Sequence, residues 1–137
     1  MARSERKPRR MVVGDGTFLW WVRHDHVAGE GEGAGRRCRN LLTVRRAGVT
    51  GRLLVVFAEG PGRMVSDGFL PSGAVTTAGG PALNLHEPGT ARAFLDAALA
   101  AGAQLPDRAT CAVDGWAFFD AVAATRGSAA DGGGFSA

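Results

Sequence analysis

The chain has 137 residues, 45% of them hydrophobic, which suits one domain with its own core and excludes a wholly disordered polymer. Its formal charge of +3 is unevenly placed: residues 1–10 hold five basic groups and one acid, a net +4, so the other 127 residues sum to −1. No apolar run is long enough to cross a bilayer and no secretory leader pattern follows the basic start, so a cytoplasmic protein without membrane contact is expected, with Cys38 and Cys111 as thiols.

Residues 1–9 are charged, contain Pro8 and lack apolar periodicity, which predicts a disordered basic tail. Residues 10–126 read as a single α+β domain. Its first strand is RMVVG at 10–14, followed by an Asp15-Gly16 turn and a second strand, FLWWVRHDH, at 18–26. The Gly-rich segment 27–39 reads as a hairpin loop. NLLTVRRA at 40–47 and RLLVVFA at 52–58 then complete a four-strand antiparallel meander. Segment 60–87 is rich in Gly and Pro, with short strands at AVTT and ALNL.

A helix is predicted over 90–101. Thr90 is placed to cap it, Ala91, Phe94, Leu95, Ala98 and Leu99 share its apolar face, and Gly102 marks its end. A second helix over 115–126 starts after Asp114 as N-cap, with Val113 and Phe118 at the spacing of a hydrophobic staple. The stretch 127–137 is Gly-rich and reads as a disordered tail. The fold expected is therefore an antiparallel sheet of four to six strands, one helix packed across a face, and a second, C-terminal helix. Its core is expected to include Val13, Trp20, Val22, Leu42, Val44, Leu54, Val56, Phe94, Leu95, Leu99, Trp116 and Phe119. Both faces of the third and fourth strands are apolar, which marks them as central.

The chemistry-bearing stretch is FLWWVRHDH. Alternate strand residues share a face, so Phe18, Trp20, Val22, His24 and His26 point one way and Leu19, Trp21, Arg23 and Asp25 the other. The first set begins as core and ends in two histidines at a wet rim. His-x-His on one strand face is also a metal-ligand spacing, which makes His24 and His26 candidate metal ligands. The further donors Cys38, His86 and Asp25 are scattered in the sequence, and no HExxH or CxxC motif exists, so the plainer reading is two rim histidines without a metal.

Other signals are weaker. GEGEGAGRR has alternating glycines that fail GxGxxG, and it leads towards a strand instead of a phosphate-holding helix N-terminus. Cys111 precedes a helix, a setting that lowers thiol pKa, but has no base near it in sequence. Asp114 and Asp120 are six residues apart and off a common helix face. No catalytic or cofactor-binding residue is assigned and no cofactor is expected.

The strongest alternative signal is basic. Arg36, Arg37, Arg39, Arg45, Arg46 and Arg52 fall between residues 33 and 58 with no acid among them, as phosphate contacts with nucleic acid would. Arg45, Arg46 and Arg52 are expected to gather at one hairpin tip. Fifteen Arg against one Lys, with no Ile or Tyr, also fits GC-rich codon usage, and no aromatic is interleaved with this run.

The pieces WWVR (residues 20–23), LLTV (41–44), LLVVF (53–57) and FLDAALAAG (94–102) resemble a loose group of small bacterial proteins from GC-rich, actinobacterial-type genomes. That group carries WxVR, LTV and LVVxF strands and then a short helix ending in AL-x-x-G. The likeness covers about two-thirds of the chain and implies a small sheet-plus-helix fold. The group has no established activity, so no functional residue is carried over.

Three function classes remain. The leading one is a small non-enzymatic protein acting by protein–protein interaction, adaptor- or immunity-like, with either a different protein or a second copy of itself as partner. It rests on the missing catalytic constellations and on a charge split of +3 over residues 11–58 against −4 over 59–137. The second is nucleic-acid binding through the arginines at 36–52. The third is a metal protein or enzyme using His24 and His26, with Cys111.

Overall fold

The ladders of the N-terminal meander run further than their apolar residues reach. In the computed structural model, which describes residues 8–28, 36–66 and 72–134, the chain forms β1 (Arg9–Val13), β2 (Gly16–Ala28), β3 (Arg36–Arg46) and β4 (Arg52–Ala58). There follow β5 (Arg63–Val65), β6 (Ala74–Thr77), β7 (Ala82–Asn84), α1 (Pro88–Ala100), β8 (Thr110–Asp114) and α2 (Trp116–Gly134). β2 and β3 stay in antiparallel register from Phe18↔Arg46 to Ala28↔Arg36, through polar pairs such as Asp25↔Arg39 and His26↔Cys38. Much of the segment expected as a loop at 27–39 is therefore ladder. Residues 29–35 lie outside the described residues, as do the first seven residues of the expected basic tail.

The fold is α+β. A five-stranded sheet has the order β1-β2-β3-β4-β8, antiparallel except for β8, which pairs parallel to β4. A parallel neighbour needs a crossover, and the connection carries α1. A second, three-stranded antiparallel sheet has the order β5-β6-β7. Two strands escaped the sequence reading. β5 is only three residues long, and β8, TCAVD, is a half-buried edge whose alternation was masked by its nearness to α2.

One face of the large sheet carries the core. Met11, Phe18, Trp20, Val22, Leu42, Val44, Leu53, Val55 and Phe57 meet Ala91, Phe94, Leu95 and Ala98 of α1 and Trp116, Phe119 and Val122 of α2. The second sheet adds Val65, Val75 and Leu83 to the same cluster. The Phe57 ring meets those of Phe94 and Trp116 edge-on, at centroid distances of 5.0 and 5.3 Å. The buried members of β4 are thus Leu53, Val55 and Phe57, not Leu54 and Val56, which are half-buried on the opposite face. An all-apolar strand carries no parity signal, and the register with Val44 and Leu42 decides it. Leu99 is 37% exposed, at the edge of α1's apolar stripe, and Val13 only packs against the core's margin.

Helix boundaries also moved. α1 begins at Pro88 after Glu87, since Pro suits the first helical position, and Thr90 is a fully buried residue inside the helix whose hydroxyl donates to Glu87 Oε1 at 3.2 Å. Asp114 does cap α2, its Oδ1 accepting the Trp116 backbone N–H at 3.0 Å. α2 continues through Gly134, past the end expected at 126, so helical backbone occupies residues 127–134 of the expected tail; the alanines there favour helix without an apolar stripe to announce it.

Candidate functional site

The residues singled out in the sequence fall on two sides of the same β2–β3–β4 ladder. Each cross-strand partner shares a face, so the register assigns every one of them. On the face away from the helices stand Val12, Leu19, Trp21, Leu54 and Val56, with Arg10, Arg23, Arg37, Arg39, Arg45 and Arg52. None of these belongs to the core cluster, which draws both helices and the second sheet to the other side.

Trp21 is the centre of this open face. It is half-buried, and the guanidinium carbons of Arg45 and Arg52 each lie 6.0 Å from its ring centroid, at the outer limit of cation–π contact. Arg45 is held by a 2.8 Å hydrogen bond from Nη1 to the Val49 carbonyl. Leu41 and Thr43, each 1% exposed, lie in the middle of this face between Arg23 and Val56 and between Trp21 and Leu54. Long side chains therefore shade the centre of a sheet that no element of the core covers.

Among the described strand residues, two acids interrupt the positive field. Asp25 takes a bidentate pair of hydrogen bonds from Arg39, Nε to Oδ1 and Nη2 to Oδ2, both 2.9 Å. Those bonds, and the charges of Arg39 and Arg23, hold the Asp25 carboxyl below its ordinary pKa against the opposing effect of burial. Asp25 in turn raises Arg39. Asp114 lies on the same face beyond Val56. There a shallow groove of about 690 Å³ continues the face, lined by Arg37, Val56, Ala58, Ala112, Asp114 and Trp116 among others.

The arginine run does not act as one cluster. Arg37, Arg39, Arg45 and Arg52 share the open face, but Arg46 turns to the other side and pairs with Asp107 at 2.7 Å. Arg36 lies across from Ala28 at the end of the ladder. Arg10 and Arg23, outside the run, belong to the face instead. The signal for this was the period-two parity of β1 and β2.

The helix-side face ends in His24, His26 and Cys38. The sequence separates Cys38 from the histidines by a Gly-rich stretch, yet the ladder sets it directly across from His26. One donor atom from each of the three residues lies within 4.8 Å of the others. Cys38 Sγ is 3.3 Å from His26 Nδ1, and the two imidazoles meet edge-on at 5.0 Å. His24 Nδ1 is 2.7 Å from Oδ1 of the buried Asn40. His86 is elsewhere, near Ser72, and Cys111 pairs with Leu53 at the far end of β4. Neither joins the cluster, and Asp25 faces away from it.

No protein-family model matches the chain, and neither a curated protein nor a solved structure does.

Proposed function

We propose that this protein works by binding an acidic protein partner on its open sheet face. The observation that carries the reading is Trp21, half-buried between Arg45 and Arg52 on a face whose apolar members are Leu19, Leu54, Val56 and the shaded Leu41. Binding energy at protein interfaces concentrates in Trp and Arg set in an apolar centre with a charged rim. Among the described strand residues of that face, six arginines against two acids favour a partner of negative charge, and steer its approach.

A second reading, single-stranded nucleic acid, draws on the same arginines, since guanidinium groups bind phosphates and an indole can stack on a base. It is the weaker of the two because, among the described strand residues of the face, Trp21 is the one aromatic ring where successive bases would each need a platform.

The test compares the wild-type chain with the double variant Arg45→Glu/Arg52→Glu and with Trp21→Ala as baits in the native cell extract. A protein retained by the wild type, released by moderate salt and lost with both variants supports the proposal. The same captured set on all three baits overturns it. Tight, steeply salt-dependent binding of single-stranded oligonucleotides by the purified wild type, lost in the double variant, replaces it with the second reading.

A further inference from the structure

We propose that His24, His26 and Cys38 form a zinc-binding site at the distal end of the β2–β3 hairpin. The site lies on the helix-side face and shares no residue with the open face, so it stands or falls separately from the partner-binding reading.

The backbone makes the arrangement. His26 and Cys38 are direct cross-strand partners, and His24 lies two residues back on the same face, about 7 Å along the strand. Their donor atoms already converge to within 4.8 Å. A tetrahedral zinc ion with bonds of about 2.0–2.3 Å to nitrogen and sulfur spaces its donors roughly 3.3–3.6 Å apart. The 3.3 Å between Cys38 Sγ and His26 Nδ1 is already of that size.

His24 is set for the purpose by a neighbour that is buried. Asn40, 1% exposed, donates from Nδ2 to the Ala74 carbonyl at 3.1 Å, and its Oδ1 accepts from Ser66 Oγ at 3.2 Å. The amide orientation is thereby fixed, and the oxygen facing His24 can only accept. His24 therefore keeps its proton on Nδ1, donating to Asn40, and presents the Nε2 lone pair. A ligating imidazole whose second nitrogen donates to an oxygen is the usual outer arrangement of a zinc histidine. The donor set also selects the ion. One thiolate and two imidazoles suit a borderline-soft transition-metal ion and give no advantage to magnesium or calcium. On binding, the Cys38 thiol gives its proton to solvent and the sulfur bonds to the metal. Three protein donors would leave the fourth position to water, and the ion would link β2 to β3 across the hairpin.

The test uses the full chain, stripped of metal and kept reduced. Zinc added against a chromophoric chelator is expected to bind at one ion per chain, with affinity at least tenfold lower in His26→Gln and Cys38→Ser and unchanged in Cys111→Ser. Cobalt, used as a coloured substitute in the wild type, is expected to give tetrahedral visible bands and a thiolate-to-metal charge-transfer band. That readout needs no variant to fold. Zinc uptake equal in Cys38→Ser and wild type, or a cobalt complex without the thiolate band, overturns the proposal.

Discussion

Replacing each of the two adjacent tryptophans in turn separates the sheet's faces. Trp20 is 1% exposed and lies under the helices, with the Arg9 guanidinium 4.5 Å from its ring centroid. An aromatic ring of this kind buries about 200 Å². At about 25 cal/mol per Å², and allowing for the methyl that alanine keeps, Trp20→Ala loses roughly 4 kcal/mol before any cavity term. The Arg9 contact adds about 0.5–1 kcal/mol. Trp21 covers its surroundings only in part, so Trp21→Ala is expected to lose about half as much, roughly 2 kcal/mol. Domains of this size are stable by only about 5–15 kcal/mol, so Trp20→Ala leaves a marginal fold while Trp21→Ala remains fully folded. Urea titrations followed by far-ultraviolet circular dichroism measure both, provided the slopes agree with the wild type. Equal losses would refute the assignment of faces, and a larger loss for Trp21 would mean that the open face is the better covered of the two.

Three further perturbations test particular contacts. Gly115→Ala places a methyl inside the envelope of the buried Phe57 ring and is expected to cost about 1–3 kcal/mol in the same titration; a neutral result would mean that Phe57 has room to move. Asp114→Ala removes the acceptor of the Trp116 N–H and should cost about 1 kcal/mol, which glycine at the same position should partly restore. Asp25→Asn tests the Arg39 pair in metal-free buffer. Because Arg39 lowers the folded pKa of Asp25, the pair's contribution is present above the unfolded value of about 3.9 and fades as pH falls through the lowered one. With both side chains about one-third exposed, solvent screening limits the loss to about 0.5–1 kcal/mol at pH 7, and it should shrink as pH falls below the unfolded value; a loss independent of pH would assign it to packing.

What the sequence made legible was whatever alternation or helical spacing could express. The period-two reading of residues 18–26 put Trp20 and Val22 inside and His24 and His26 at a rim, and the i, i+3, i+4 spacing found Ala91, Phe94, Leu95 and Ala98. It failed where that signal vanishes. β4 is apolar on both faces, so its register with β3 had to decide between Leu53 and Leu54. The convergence of Cys38 on His26 depends on the register across a Gly-rich connection, where a one-residue slip would turn Cys38 to the opposite face. Composition cannot set that register. The arginine run misled in a similar way, because nearness in sequence grouped Arg46 with Arg45 although strand parity sends them to opposite sides.

Composition and sheet geometry each bear on part of the open face, and its sign of charge and its apolar residues need a further account. The excess of arginine over lysine, fifteen to one, is a matter of composition and not of position in the sheet. An amphipathic sheet turns most polar side chains of β1 to β4 away from the helices, which accounts for the side on which Arg10, Arg23, Arg37, Arg39, Arg45 and Arg52 stand. Neither accounts for the shortage of acids there among the described residues, Asp25 and Asp114 on the strands and Glu59 in the groove, since a merely solvated face intersperses both signs. Neither accounts for a tryptophan placed between two of the arginines, or for Leu54, Val56 and the 65% exposed Val12 sharing a side that core packing does not use. Apolar groups kept at a charged surface gain their stabilisation only when something covers them, and the excess of positive charge defines what can approach.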